Sequence, residues 1–110
     1  EIEFFVQYLQ LKNASKHKDL IIHNSEIAIK RIARHGILSY ELGDFMIRAL
    51  SFFRIIESLM RLNEEDALKF GSETYNSIVR FLGFKSGDKL LDEINNTRQR
   101  VLEVINLGYI

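Results

Sequence analysis

The sequence predicts an all-α protein: an antiparallel up-and-down bundle of four long helices plus a short N-terminal helix, packed around a central hydrophobic helix. Three observations carry that expectation. Residues 42–62 place Leu42, Phe45, Met46, Ala49, Phe52, Phe53, Ile56, Leu59 and Met60 at helical spacing, and Ile47, Leu50 and Ile55 widen the apolar arc. Only a thin polar stripe of Asp44, Arg48, Ser51, Arg54, Ser58 and Arg61 is left, so this helix has to be surrounded. The chain also has no proline in 110 residues, where average usage of about 5% would give roughly five. Proline breaks helix interiors, so its absence suits helices joined by short connections. Finally, no run alternates apolar and polar residues at period two, which argues against strands.

The elements follow in order. A first helix over residues 2–12 has Ile2, Phe5, Val6 and Leu9 on one face. Asn13-Ala14-Ser15 breaks it, with Ser15 as the next N-cap. A second helix over residues 16–35 uses Leu20, Ile21, Ile27, Ala28 and Ile32 inward and ends at Gly36, a residue suited to the left-handed position after a helix. Ser39 caps the central helix, which runs to Leu62. Asn63-Glu64-Glu65-Asp66 reads as a cap followed by acids in the first turn of a fourth helix, with Ala67, Leu68, Gly71, Tyr75, Ile78 and Leu82 inward and Gly83 as its stop. Ser86 caps a fifth helix over residues 87–107, with Leu90, Leu91, Ile94, Val101 and Ile105 inward and Gly108 closing it.

Composition narrows the function classes. With 46% hydrophobic and 27% charged residues the chain is globular, and its length suits one domain spanning residues 1–110. Formal net charge is zero, so no global field draws it to nucleic acid or an anionic membrane. Cysteine is absent, which removes disulfides, thiolate chemistry and Cys-ligated zinc together. Asp44, Arg48, Arg54 and Glu57 interrupt the most apolar region, against the roughly 20 apolar residues a membrane span needs. Glu1 and Glu3 replace the basic start of a signal peptide, and the expected location is cytoplasmic. A first residue other than Met makes the chain read as a fragment of a longer protein.

Candidate sites are few. Asp19, His23 and Glu26 stand at i, i+4 and i+7, so on a continuous helix they share a face, as metal ligands can. Di-iron bundles use Glu-x-x-His on two helices; here the order is His-x-x-Glu with no second copy, so neither a metal nor a cofactor is expected. His35 sits in a last turn, where an imidazolium complements the helix dipole. Lys85, Ser86 and Lys89 flank a helix start and form a candidate anion site, although helix-stop glycine followed by helix-start serine explains the same residues. Residues 12–34 carry an excess of positive charge. Lys16, Lys18, Lys30, Arg31 and Arg34 there are the candidate contacts to nucleic acid or an acidic partner. Phe4, Phe5, Tyr8, Phe52 and Phe53 include adjacent aromatics, whose side chains point about 100° apart on a helix. Phe4, Tyr8, Phe52 and Phe53 are therefore candidate partner contacts, with Gly71 as a point of close helix approach.

No nucleophile elbow, phosphate loop or metalloprotease helix motif occurs, and no catalytic residue is assigned. The expected role is a non-enzymatic regulatory or protein–protein interaction domain that self-associates as a homodimer. A nucleic-acid binder using the basic segment is the first alternative. A sensor holding a small apolar ligand beside Phe45, Phe52 and Met60 is the second.

Overall fold

The computed structural model describes residues 1–109, and among them it is all-α: five α-helices, one 3-10 turn and no strand. The helices are α1 (Ile2–Asn13), α2 (Ser25–Arg34), α3 (Tyr40–Leu62), α4 (Glu73–Leu82) and α5 (Gly87–Tyr109), with the 3-10 turn at Lys18–Leu20 between α1 and α2. No described helix is long and apolar enough to cross a membrane.

Two of the expected helices are shorter than their sequence pattern. The second begins at Ser25 rather than near Lys16, because Asn24 caps it: the Asn24 side chain accepts a hydrogen bond from the Ile27 N–H at 3.0 Å. Ser15 caps nothing there; the N–H groups of Lys16 and His17 both donate to the Asn13 carbonyl as the chain turns off α1. The fourth helix begins at Glu73 rather than after Asn63, capped by Ser72, whose hydroxyl accepts from the Tyr75 N–H at 3.1 Å. Asn63 to Glu65, read from sequence as the start of that helix, instead finish α3. The Glu64 N–H donates to the Arg61 carbonyl and the Glu65 N–H to the Met60 carbonyl, with Glu64 left-handed at φ 57°. That is the Schellman closure, built without the usual glycine. Gly36 and Gly83 close α2 and α4 in the same way, each followed by an apolar residue, Ile37 or Phe84, whose N–H reaches back to Ile32 or Val79. Ser39 and Ser86 cap α3 and α5 as the sequence predicts.

The chain resolves into two compact units. The first takes Glu1–Leu50 and the segment from Glu103 onward. Its buried residues are Ile2, Phe5, Val6 and Leu9 of α1, Leu20 of the 3-10 turn, Ala28, Ile29, Ile32 and Ala33 of α2, Phe45, Met46, Ala49 and Leu50 of α3, and Val104 and Ile105 of α5. Ile21 and Ile27, expected inward, are exposed instead: the break at residues 21–24 resets the helical phase, so Ile29 and Ala33 take the inner positions. Gly43 of α3 lies against α2, where an added Cβ would come within 3.2 Å of the Ala33 Cβ. Gly108 lies inside α5 rather than beyond its end, and a Cβ there would collide with the buried Phe5 ring.

The second unit, Ser51–Leu102, is built on Ile56, Tyr75, Ile78, Leu90 and Ile94. Phe52, Phe53, Leu59, Met60, Leu68, Val79, Leu82 and Phe84 pack against that cluster. Tyr75 is fully enclosed, and its hydroxyl donates to the Gly87 carbonyl at 2.5 Å, fastening α4 to the first turn of α5. Burial, with the nearby Asp88 charge, pushes the Tyr75 phenol above its ordinary pKa.

Candidate functional site

The polar cluster with the most structure around it sits where α1 hands over to α2. Leu20, fully buried, anchors the 3-10 turn in the first unit. From one side Gln10, itself buried on α1, donates through Nε2 to the carbonyls of Leu20 (2.6 Å) and Ile22 (2.9 Å). From the other, Arg31 of α2 donates to the main-chain oxygen of Asp19 at 2.6 Å. The main chain of Asp19 is thereby held between two helices, while its carboxylate stays exposed.

That carboxylate faces His35, the residue that ends α2. The His35 Nε2 lies 2.9 and 3.0 Å from the two carboxylate oxygens. The hydrogen bond from His35, helped by the charges of His35 and Arg31, holds the Asp19 carboxyl below the ordinary carboxylate range. The His17 ring stacks on His35 with centroids 3.8 Å apart and planes at 20°. One donor atom from each of His17, Asp19 and His35 falls within 4.8 Å of the others.

This is a different set from Asp19, His23 and Glu26, which the sequence places on one helix face. Those three share no face, because Asp19 lies in the 3-10 turn, His23 in the extended link and Glu26 in the first turn of α2. His35 has a tertiary partner in addition to its place at a helix end. The Asp19–His35 pairing spans 16 positions, and no helical or strand periodicity reports it.

The basic residues of the 12–34 segment do not form one helix face either, since the helix covers only its last ten positions. Lys16 and Lys18 are exposed on the connection, Lys30 pairs with Glu26 at 3.5 Å, Arg31 is engaged with Asp19, and Arg34 is exposed. At the proposed anion site the Ser86 hydroxyl accepts from the Lys89 N–H at 3.3 Å, so it caps α5; Lys85 and Lys89 are exposed beside it.

Among the aromatic candidates, Phe4 is 75% exposed and Leu11, about two turns further along α1, is 76% exposed. Tyr8 lies half-buried between them, with the Lys12 ammonium 5.6 Å from its ring centroid. Phe52 and Phe53 are half-buried against the core of the second unit, their rings 5.4 Å apart. Gly71, expected inside a helix at a close approach, is an exposed turn residue at φ +79° with nothing within 4 Å of where a Cβ would be. Its glycine character serves the backbone turn ahead of Ser72, not packing. Of the apolar-ligand set, Phe45 is buried in the first unit while Phe52 and Met60 pack in the second. Leu62, Phe70 and Phe81, none of them a candidate contact from the sequence, are well exposed in the second unit.

The chain is similar in sequence to bifunctional glutamine synthetase adenylyltransferase/adenylyl-removing enzymes. The protein of Rhodopseudomonas palustris (strain ATCC BAA-98 / CGA009) is 27% identical over 104 residues, covering 92% of this chain and 10% of that protein. The one from Neisseria meningitidis serogroup A is 23% identical over 109 residues, covering 96% of this chain and 12% of that protein. The chain thus spans about a tenth of the length of the curated relatives it matches. No family model matches the chain, and no solved structure does.

Proposed function

We propose that this chain is a non-enzymatic helical interaction module that regulates through protein–protein contact and self-associates through α1. The observation that carries this reading is the outward stripe of Phe4, Tyr8 and Leu11, at i, i+4 and i+7 on a helix whose opposite face, Ile2, Phe5, Val6 and Leu9, is already buried. An amphipathic helix spends its apolar residues on one face; a second apolar stripe is surface that a partner helix can bury. Covering an exposed Phe or Leu side chain is worth about 1.5–3 kcal/mol. A net charge of zero means that two copies meet without mutual repulsion. Sedimentation velocity over a concentration series tests it. The wild type should shift from monomer to dimer, and Phe4→Glu with Leu11→Glu should remain monomeric at every concentration. A wild type that stays monomeric throughout overturns self-association.

A second reading is favoured by the similarity along more than nine-tenths of the chain to the adenylyltransferase/adenylyl-removing enzymes. In it, the module is a helical segment of a larger protein of that kind, and α1 packs on the rest of that protein. Binding of the isolated chain to glutamine synthetase, measured by interferometry, tests whether it contributes to recognition of that target. A monomeric chain that binds glutamine synthetase would replace the first reading with the second.

A further inference from the structure

We propose that His17, Asp19 and His35 form a binding site for a divalent transition-metal ion of the zinc type. Two imidazoles and one carboxylate are a donor set that borderline divalent ions favour, and zinc sites with an open position use three protein ligands plus water. His17 and Asp19 stand two positions apart on the α1–α2 connection, His35 ends α2, and one donor atom from each lies within 4.8 Å of the others. Zinc holds nitrogen and oxygen ligands at about 2.0–2.1 Å, which puts two tetrahedral ligands about 3.3 Å apart. The His35–Asp19 separations of 2.9 and 3.0 Å need to open only slightly to admit an ion. The His17 ring starts stacked on His35, so it has to turn out of the stack to aim a ring nitrogen at the ion.

The support around the cluster fits this use. Arg31 fixes the Asp19 carbonyl and Gln10 the carbonyls of Leu20 and Ile22 that follow it, so the carboxylate is presented from a held backbone. Arg31 bonds the main-chain oxygen and not the carboxylate, which leaves the carboxylate lone pairs to face His35 and an incoming cation. Asp19 is exposed, so water can fill the fourth position. The Arg31 charge, which already acts on Asp19, opposes any cation by simple repulsion and so favours ions with strong nitrogen affinity over weakly held hard ones. On binding, Nε2 of His35 becomes a lone-pair donor: a neutral ring gives up the Nε2 proton that faced the carboxylate and takes one from solvent at Nδ1, and an imidazolium gives its Nε2 proton to buffer.

Isothermal titration of the chelator-treated full chain with zinc chloride alone tests the site. One equivalent should bind, and the Co2+-loaded chain should show the visible absorption of a four-coordinate ion. His17→Ala and Asp19→Asn should each weaken binding at least about tenfold, since loss of even outer-shell partners costs 10–100-fold. His23→Ala, at an exposed histidine outside the cluster, should leave binding unchanged. Circular dichroism confirms folding of each variant. If Asp19→Asn unfolds, His17→Ala decides alone, because it leaves the Asp19–His35 bond in place. Absence of binding at millimolar zinc, or one-equivalent binding undiminished in a folded His17→Ala variant, overturns the proposal.

Discussion

Replacing Gln10 by Met removes the side-chain clamp on the α1–α2 connection while keeping the length and much of the volume of the side chain. Gln10 is 8% exposed, and its Nε2 group donates to both Leu20 and Ile22 carbonyls. A neutral hydrogen bond contributes about 0.5–1.5 kcal/mol net, and a buried acceptor stripped of its donor costs about 1–3 kcal/mol. The Leu20 carbonyl keeps a second donor, the Ile22 N–H at 3.0 Å, so it is only partly orphaned. The burden therefore falls on the Ile22 carbonyl, and the expected loss is about 2 kcal/mol. At 4–8 °C per kcal/mol for a domain of this size, Tm should fall by about 8–16 °C. Urea unfolding followed by circular dichroism measures the loss, with Gln7→Met, on the exposed side of the same helix, as a control expected within about 0.5 kcal/mol. A Gln10→Met variant as stable as the Gln7→Met control would refute the idea that Gln10 holds this connection. Because Asp19 lies in the clamped segment, the two-dimensional NMR signals of the His35 ring should also move in Gln10→Met and not in the control.

Two further outcomes follow from the same geometry. Tyr75→Phe leaves the Gly87 carbonyl without the phenol donor at 2.5 Å and should lower stability by about 1–2 kcal/mol in urea, with the m-value unchanged. The Asp19 carboxyl is depressed in the folded state, so its stabilising contribution is complete above the unfolded carboxylate value of about 3.9 and is lost as pH falls through the lower folded value. In metal-free buffer, wild type and Asp19→Asn should differ in stability at neutral pH and converge as acid is added; a constant difference down to pH 2 would contradict the pairing with His35.

The legible part of the fold was the part written in short-range periodicity and punctuation. The buried side of α1 and the caps at Ser39 and Ser86 agree with the sequence reading residue by residue, as do the stops at Gly36 and Gly83. The failures lie where a local signal has two equally local meanings. Asn63-Glu64-Glu65-Asp66 has the composition of a helix start, yet Glu64 takes the left-handed position that ends α3. Asn24 is as good a cap as Ser15, and choosing between them fixes the phase of everything to Arg34. One displaced cap turned Ile21 and Ile27 outward and moved Glu26 away from Asp19 and His23.

By itself, then, the sequence determined helix as the only regular structure of the described residues and the strongly apolar character of α3. Each depends on residues within a few positions of one another, where helical spacing and the absence of proline are sufficient physics. The tertiary structure alone decided that Gln10 reaches Leu20 and Ile22, that Arg31 reaches Asp19, that His35 meets the Asp19 carboxylate and that His17 stacks on His35. Those contacts join residues 10 to 18 positions apart across a non-helical turn. Their geometry is set by how buried Leu20 seats the connection between α1 and α2, a packing outcome that no periodicity along the chain records.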